Sequence, residues 1–98
     1  MIITFYKTDT TGRPRYYSIH DRQGNLFSEY SFTVIWGMNL NKGHEKAYVF
    51  ESRKAMDEKL RSIMAGKTSR GYKVLYSFAR DRKYKELFNS AMDKSAAV

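Results

Sequence analysis

In the first half of this chain apolar side chains alternate with polar ones, and from residue 52 onward they recur at helical spacing. Over residues 27–36, Tyr30, Phe32, Val34 and Trp36 alternate with Ser31, Thr33 and Ile35. A period of two sends the first set to one face of a strand and the second, more polar set to the other. Met56, Leu60, Ile63 and Met64 are instead spaced as one stripe of a helix. Strands that precede helices predict an α+β fold, a sheet packed on helix.

The remaining elements follow from composition and breakers. Residues 2–7 are β-branched and aromatic and predict a strand, which Thr10-Thr11-Gly12-Arg13-Pro14 breaks. Residues 15–20 predict a second strand, closed by the polar turn Asp21-Arg22-Gln23-Gly24-Asn25, and 27–36 a third. A polar loop over 37–43 leads to a fourth strand near 45–50. Ser52 is a good N-cap for a main helix over 52–65, and Gly66 is placed to end it. Gly71 precedes a last strand over 72–78. A second amphipathic helix is expected over 81–92, with Tyr84, Leu87, Phe88, Ala91 and Met92 on one face. Ninety-eight residues without linker or repeat predict one domain, 1–98.

Net charge is +8, and its distribution is uneven. Residues 1–51 carry six basic and five acidic groups, whereas residues 52–98 carry twelve and five. A basic half is the electrostatic footprint of a polyanion partner, although a solvated, solubilising surface has the same composition. The chain has no cysteine, which removes disulfides, thiolate nucleophiles and Cys-based zinc sites. No apolar run approaches the about 20 residues that span a bilayer, and no secretory signal is evident. A cytoplasmic location is expected.

Catalytic patterns fail on inspection. Gly66-Lys67-Thr68 imitates the end of a phosphate-binding P-loop, but the glycine required five positions earlier is Arg61. His20 and His44 have no metal-ligand spacing, and strand geometry separates Ser18 and His20 from Asp21. No enzyme activity, cofactor, metal or small-molecule substrate is expected. Binding chemistry is better represented. Lys67, Arg70 and Lys73, with Tyr72 among them, interleave cations and aromatic surface, while Lys42 and Lys46 flank the loop after Trp36. Arg53, Lys54 and Arg61 are expected on the helix's solvent face. Trp36 by its position alone reads first as core beneath the loop.

Several fragments stand in a recognisable order: Arg15-Tyr16-Tyr17-Ser18-Ile19, Leu26-Phe27, 30–35, Trp36-Gly37, the Gly43 loop, and Lys67 followed by Arg70-Gly71-Tyr72. Over about residues 15–78 the chain resembles the WGR domain, named for a Trp-Gly-Arg motif at a strand end. That domain occurs in DNA-dependent poly(ADP-ribose) polymerases and in short bacterial proteins. The resemblance implies a single antiparallel sheet packed on one main helix, no catalytic activity, and nucleic-acid binding. In the polymerases the motif's Trp packs on the sugar at a DNA break end, beside basic and backbone groups that hold phosphate. By position Trp36 takes the role of that Trp and Gly37 that of the turn; Met38 stands where the family has arginine.

The expectation is a nucleic-acid-binding module of low sequence specificity that contacts phosphate and sugar, with duplex DNA as partner and its ends or nicks as candidate sites. Its expected site is Trp36, Gly37, Lys42, Lys46, Lys67, Arg70, Tyr72 and Lys73. The alternative is a protein–protein adaptor or homodimer that uses the C-terminal helix, which lies beyond the matched region.

Overall fold

The computed structural model describes residues 1–22, 29–39 and 43–96. In chain order it contains β1 (Ile2–Thr8), β2 (Pro14–His20), β3 (Ser31–Gly37), β4 (His44–Val49), α1 (Arg53–Ser69), β5 (Lys73–Phe78) and α2 (Arg82–Ala96). The sheet order is β4-β3-β2-β1-β5, antiparallel throughout. The fold is therefore α+β, as the change of period predicts. The first four strands form a meander, and α1 carries the chain from edge strand β4 across one sheet face to β5 at the opposite edge.

Register fixes which side chains α1 covers. Ile3, Ile19 and Val34 pair across three strands, as do Phe5, Tyr17 and Trp36, and Phe32 lies opposite Tyr48. Met56, Leu60 and Met64 of α1 lie on this face, and Ile3, Phe5, Ile19 and Leu60 are fully buried. Burying one such side chain contributes about 1.5–3 kcal/mol. α2 completes the same core with Tyr84, Phe88 and Ala91. Thr4, Ser18, His20 and Thr33 occupy the other face, where the Thr4 and Ser18 hydroxyls hydrogen-bond at 3.0 Å.

Three local expectations need correction. The third strand begins at Ser31; the expected start at residue 27 falls outside the described residues, as do Leu26 and Phe27. α1 does not stop at Gly66 but runs through it to Ser69. A mid-helix glycine costs about 1 kcal/mol relative to alanine, too little to break a helix whose other face is packed. The stop comes five residues later. Gly71, at φ +89, donates its N–H to the Thr68 carbonyl, and Tyr72 donates to Lys67, both at 3.1 Å. This pair of bonds closes a helix around a left-handed residue, a conformation that suits glycine. Arg53, finally, is not simply on a solvent face. It bonds Asp81 at 2.6 Å and lies 3.9 Å from Asp57, which ties α1 to the start of α2.

β5 contains a bulge between its contacts to Thr4 and Phe5. The extra residue, Leu75, shifts the strand's phase. Tyr76 and Phe78 consequently face away from the helices, whereas Val74 and Tyr72 pack against the core.

Candidate nucleic-acid interface

Trp36 lies near the end of β3 in a row set by strand register. Tyr17 pairs with it from β2 and His44 from β4. The indole is near-parallel to both rings, at centroid distances of 6.3 Å to Tyr17 and 5.5 Å to His44. It is partly buried and packs against the core, with a ring on either side. Trp36 is thus at once a core residue and part of a surface row.

The backbone beyond it is equally constrained. Gly37 has φ +142, a conformation that L side chains rarely adopt, and a Cβ there would come within 3.3 Å of the Gly43 Cα. A Cβ on Gly43 would collide with the Trp36 carbonyl. The hairpin therefore closes backbone against backbone beside the indole. Met38 is 43% exposed. Lys42 lies outside the described residues.

The extension of α1 past Gly66 places Lys67 in its last turn, over the row. Its Nζ is 4.0 Å from the Tyr17 ring centroid and 5.1 Å from that of Tyr72. A cation over two ring faces is attracted by their quadrupoles. Burial, and then the neighbouring charge of Arg70, lower the Lys67 pKa. Burial, with a smaller contribution from Tyr48, pushes the Tyr17 hydroxyl up to about 12. Lys7 reaches the Tyr72 ring at 5.8 Å and donates to the Arg70 carbonyl at 2.6 Å.

Lys46 is on the same sheet face, its Nζ 4.8 Å from the Tyr48 ring. Lys59 of α1 reaches the same ring at 5.4 Å. Among the described residues, no carboxylate pairs with Lys46, Lys59 or Lys67. Lys73 is apart from this group. It pairs with Tyr6, one register step from buried Phe5, so it belongs to the opposite face.

Trp36, Gly37, Lys46, Lys67, Arg70 and Tyr72 thus share one side of the molecule, and Lys73 does not. Sequence reasoning missed Tyr17, His44, Tyr48, Lys7 and Lys59. Some signals were present: Lys59, Ile63 and Lys67 are spaced by four, and His44 directly follows the glycine that closes the hairpin. The pairing of Lys7 with Tyr72 joins residues 65 positions apart and has no sequence signal.

A cavity of about 580 Å³ opens at the other end of the sheet, lined by Met1, Arg22, Glu29, Arg53, Arg80 and Asp81 among others. Its cations alternate with carboxylates, unlike the row above. None of the described helices is long and apolar enough to cross a membrane.

Comparison with known proteins identifies the family. No curated protein and no solved structure matches the chain. The family model for the WGR domain matches residues 1–79, and so takes in β1 as well as the region from 15 to 78 that the motifs mark. WGR domains are, in general, non-catalytic nucleic-acid-binding modules. With four-fifths of its length matched, this chain belongs to the WGR-domain family.

Proposed function

We propose that this protein binds duplex nucleic acid with little sequence preference, holding sugar and phosphate at the Trp36 row. The observation that carries this reading is the three-ring row Tyr17–Trp36–His44, flanked by Lys67 on one side and Lys46 on the other, with neither cation paired to a carboxylate among the described residues. Cations held against rings and left without counter-charge are suited to an external anion. Trp36 has a ring on either side, so it offers a ligand its edge, which fits contact with a sugar rather than intercalation. Lys67, Arg70 and Lys46 supply phosphate contacts, Tyr72 positions Lys67, and Gly37 lets the hairpin close beside the indole. Lys42, next to Gly43 in sequence, is proposed as a further phosphate contact. A contact from Lys73 requires the ligand to wrap around the β5 edge.

Such contacts carry no base readout, because phosphate is the same at every position. No major-groove reading helix is evident among the described residues, since Met56, Leu60 and Met64 commit the apolar face of α1 to the core. The alternative of docking through α2 has less support, because Tyr84, Phe88 and Ala91 are buried against this chain's own sheet and helix.

The test is a salt titration of binding to a short labelled duplex with blunt or nicked ends. With ~4 phosphates neutralised, the log–log slope should be near −3.6. A flat slope, or no binding at low salt, overturns the reading.

A further inference from the structure

β4 is an edge strand, and its side chains on the helix-covered face are His44, Lys46 and Tyr48 in line. His44 and Lys46 are exposed and Tyr48 is partly so. Ring, cation and ring therefore alternate along an open edge, starting beside Trp36. At the far end Lys46 and Lys59 both lie over Tyr48, so their ammonium groups are within about 10 Å of one another. Two like charges near one ring repel, and no carboxylate among the described residues offsets them. An anion between them relieves that repulsion.

This second cation group is separate from Lys67. Tyr48 is level with Phe32, four residues along β3 from Trp36, which is about 13 Å at ~3.3 Å per residue. One phosphate group, whose hydrogen bonds reach about 3 Å, cannot bridge that distance. The ligand must supply phosphates at both ends of the edge, with a continuous strand between them. A duplex offers phosphates but keeps its bases stacked internally. Tyr48 is held by Phe50 and Phe32 and positions the two cations, whereas exposed His44, with Trp36 against one face, leaves its other face to a strand whose bases are free.

We propose that edge strand β4, through His44, Lys46 and Tyr48 with Lys59 of α1, holds a single-stranded tail that leads away from a duplex end at Trp36. The proposal rests on the nucleic-acid reading above and names the form of its ligand. The family's Trp contact accounts for the duplex end; the β4 track is additional to it.

The experiment compares two labelled ligands by fluorescence anisotropy at low salt: a short blunt duplex, and the same duplex with a single-stranded tail of about four nucleotides on one strand. The tail should strengthen binding at least roughly fivefold, the low end for one base stack. Lys59→Ala should remove most of that gain and leave blunt-duplex affinity unchanged, whereas Lys46→Ala, which also removes a duplex contact, should weaken both ligands and the tailed one by the larger factor. Both side chains are exposed, and an unaltered unfolding midpoint establishes that the variants are folded. Lys59→Arg should keep the gain. If the tail adds nothing, or the alanine variants weaken both ligands by the same factor, the β4 track is wrong while the duplex reading stands. If neither ligand binds, both readings fall.

Discussion

The two ends of α1 handle positive charge in opposite ways. At its start, Arg53 and Lys83 converge on Asp57 and Asp81. Asp57 is buried, and it accepts hydrogen bonds from the Tyr84 hydroxyl at 2.7 Å and from Lys83 at 3.0 Å. Burial alone would raise its pKa, but those hydrogen bonds and the nearby cations bring its carboxyl below the ordinary value. Asp81 also caps α2, accepting the Lys83 backbone N–H at 2.8 Å. Toward the other end, Lys59 and Lys67 rest on tyrosine rings, with no carboxylate paired to them among the described residues. A cation paired with a buried acid fastens two helices. A cation on a ring keeps its charge available to a ligand. The contrast shows why charge alone locates no site: the twelve cations of residues 52–98 include some that are already paired with carboxylates.

The largest effect should come from removing what the paired end secures. Deleting residues 80–98 takes Tyr84, Phe88 and Ala91 out of the core, and the remainder should show no cooperative thermal transition by circular dichroism. A folded, monomeric truncation in sedimentation would instead make α2 a separable accessory.

Trp36→Ala tests the residue that serves both fold and row. Its stability loss should fall short of the roughly 3–5 kcal/mol of a fully buried Trp, while duplex affinity drops clearly. A full core-sized loss with unchanged affinity would assign Trp36 to the core alone.

Asp57→Ala should cost about 1–3 kcal/mol, the penalty for leaving the Tyr84 hydroxyl unsatisfied, and should leave the salt slope of binding unaltered. Because the Asp57 pKa is lowered in the fold, its contribution is present at neutral pH and is lost as the pH falls through the folded value. In Asp57→Ala that part of the acid sensitivity should disappear from denaturant midpoints measured against pH.

Lys67→Ala should do the reverse, flattening the salt slope by about 0.9 with little change in stability. The protein's interior disfavours the charged form of Lys67, and a phosphate beside it favours that form. Binding should therefore take up a proton at alkaline pH, and affinity should fall as the pH rises toward the lysine range. Calorimetry in buffers of different ionisation heat measures that uptake.

The smallest effect is expected from Met38→Arg, which restores the family's basic residue on an exposed loop position. It should steepen the slope by about 0.9. An unchanged slope, with lower stability, would mean that Met38 is needed against Trp36.

The sequence by itself determined the order and type of the elements, because periods of two and of three to four are properties of local backbone geometry. It also pointed to Trp36 and Gly37 through motif order. Element ends were less legible. Gly66 and Gly71 are both plausible helix stops, and only the tertiary structure decided that the chain turns left-handed at Gly71, where β5 must begin its pairing with β1. That choice carries Lys67 onto α1 and over Tyr17, a contact between residues 50 positions apart. The faces of β5 were also undecided, since a single bulge residue, Leu75, reverses the strand's phase and Lys73 is left opposite the row. Among the described residues, the structure also separated the cations that pair with carboxylates from those that rest on rings. Arg53 has Asp57 four residues on, a local signal that Lys59 lacks, but its shorter pair, with Asp81, depends on where α2 folds back, and no local pattern encodes that.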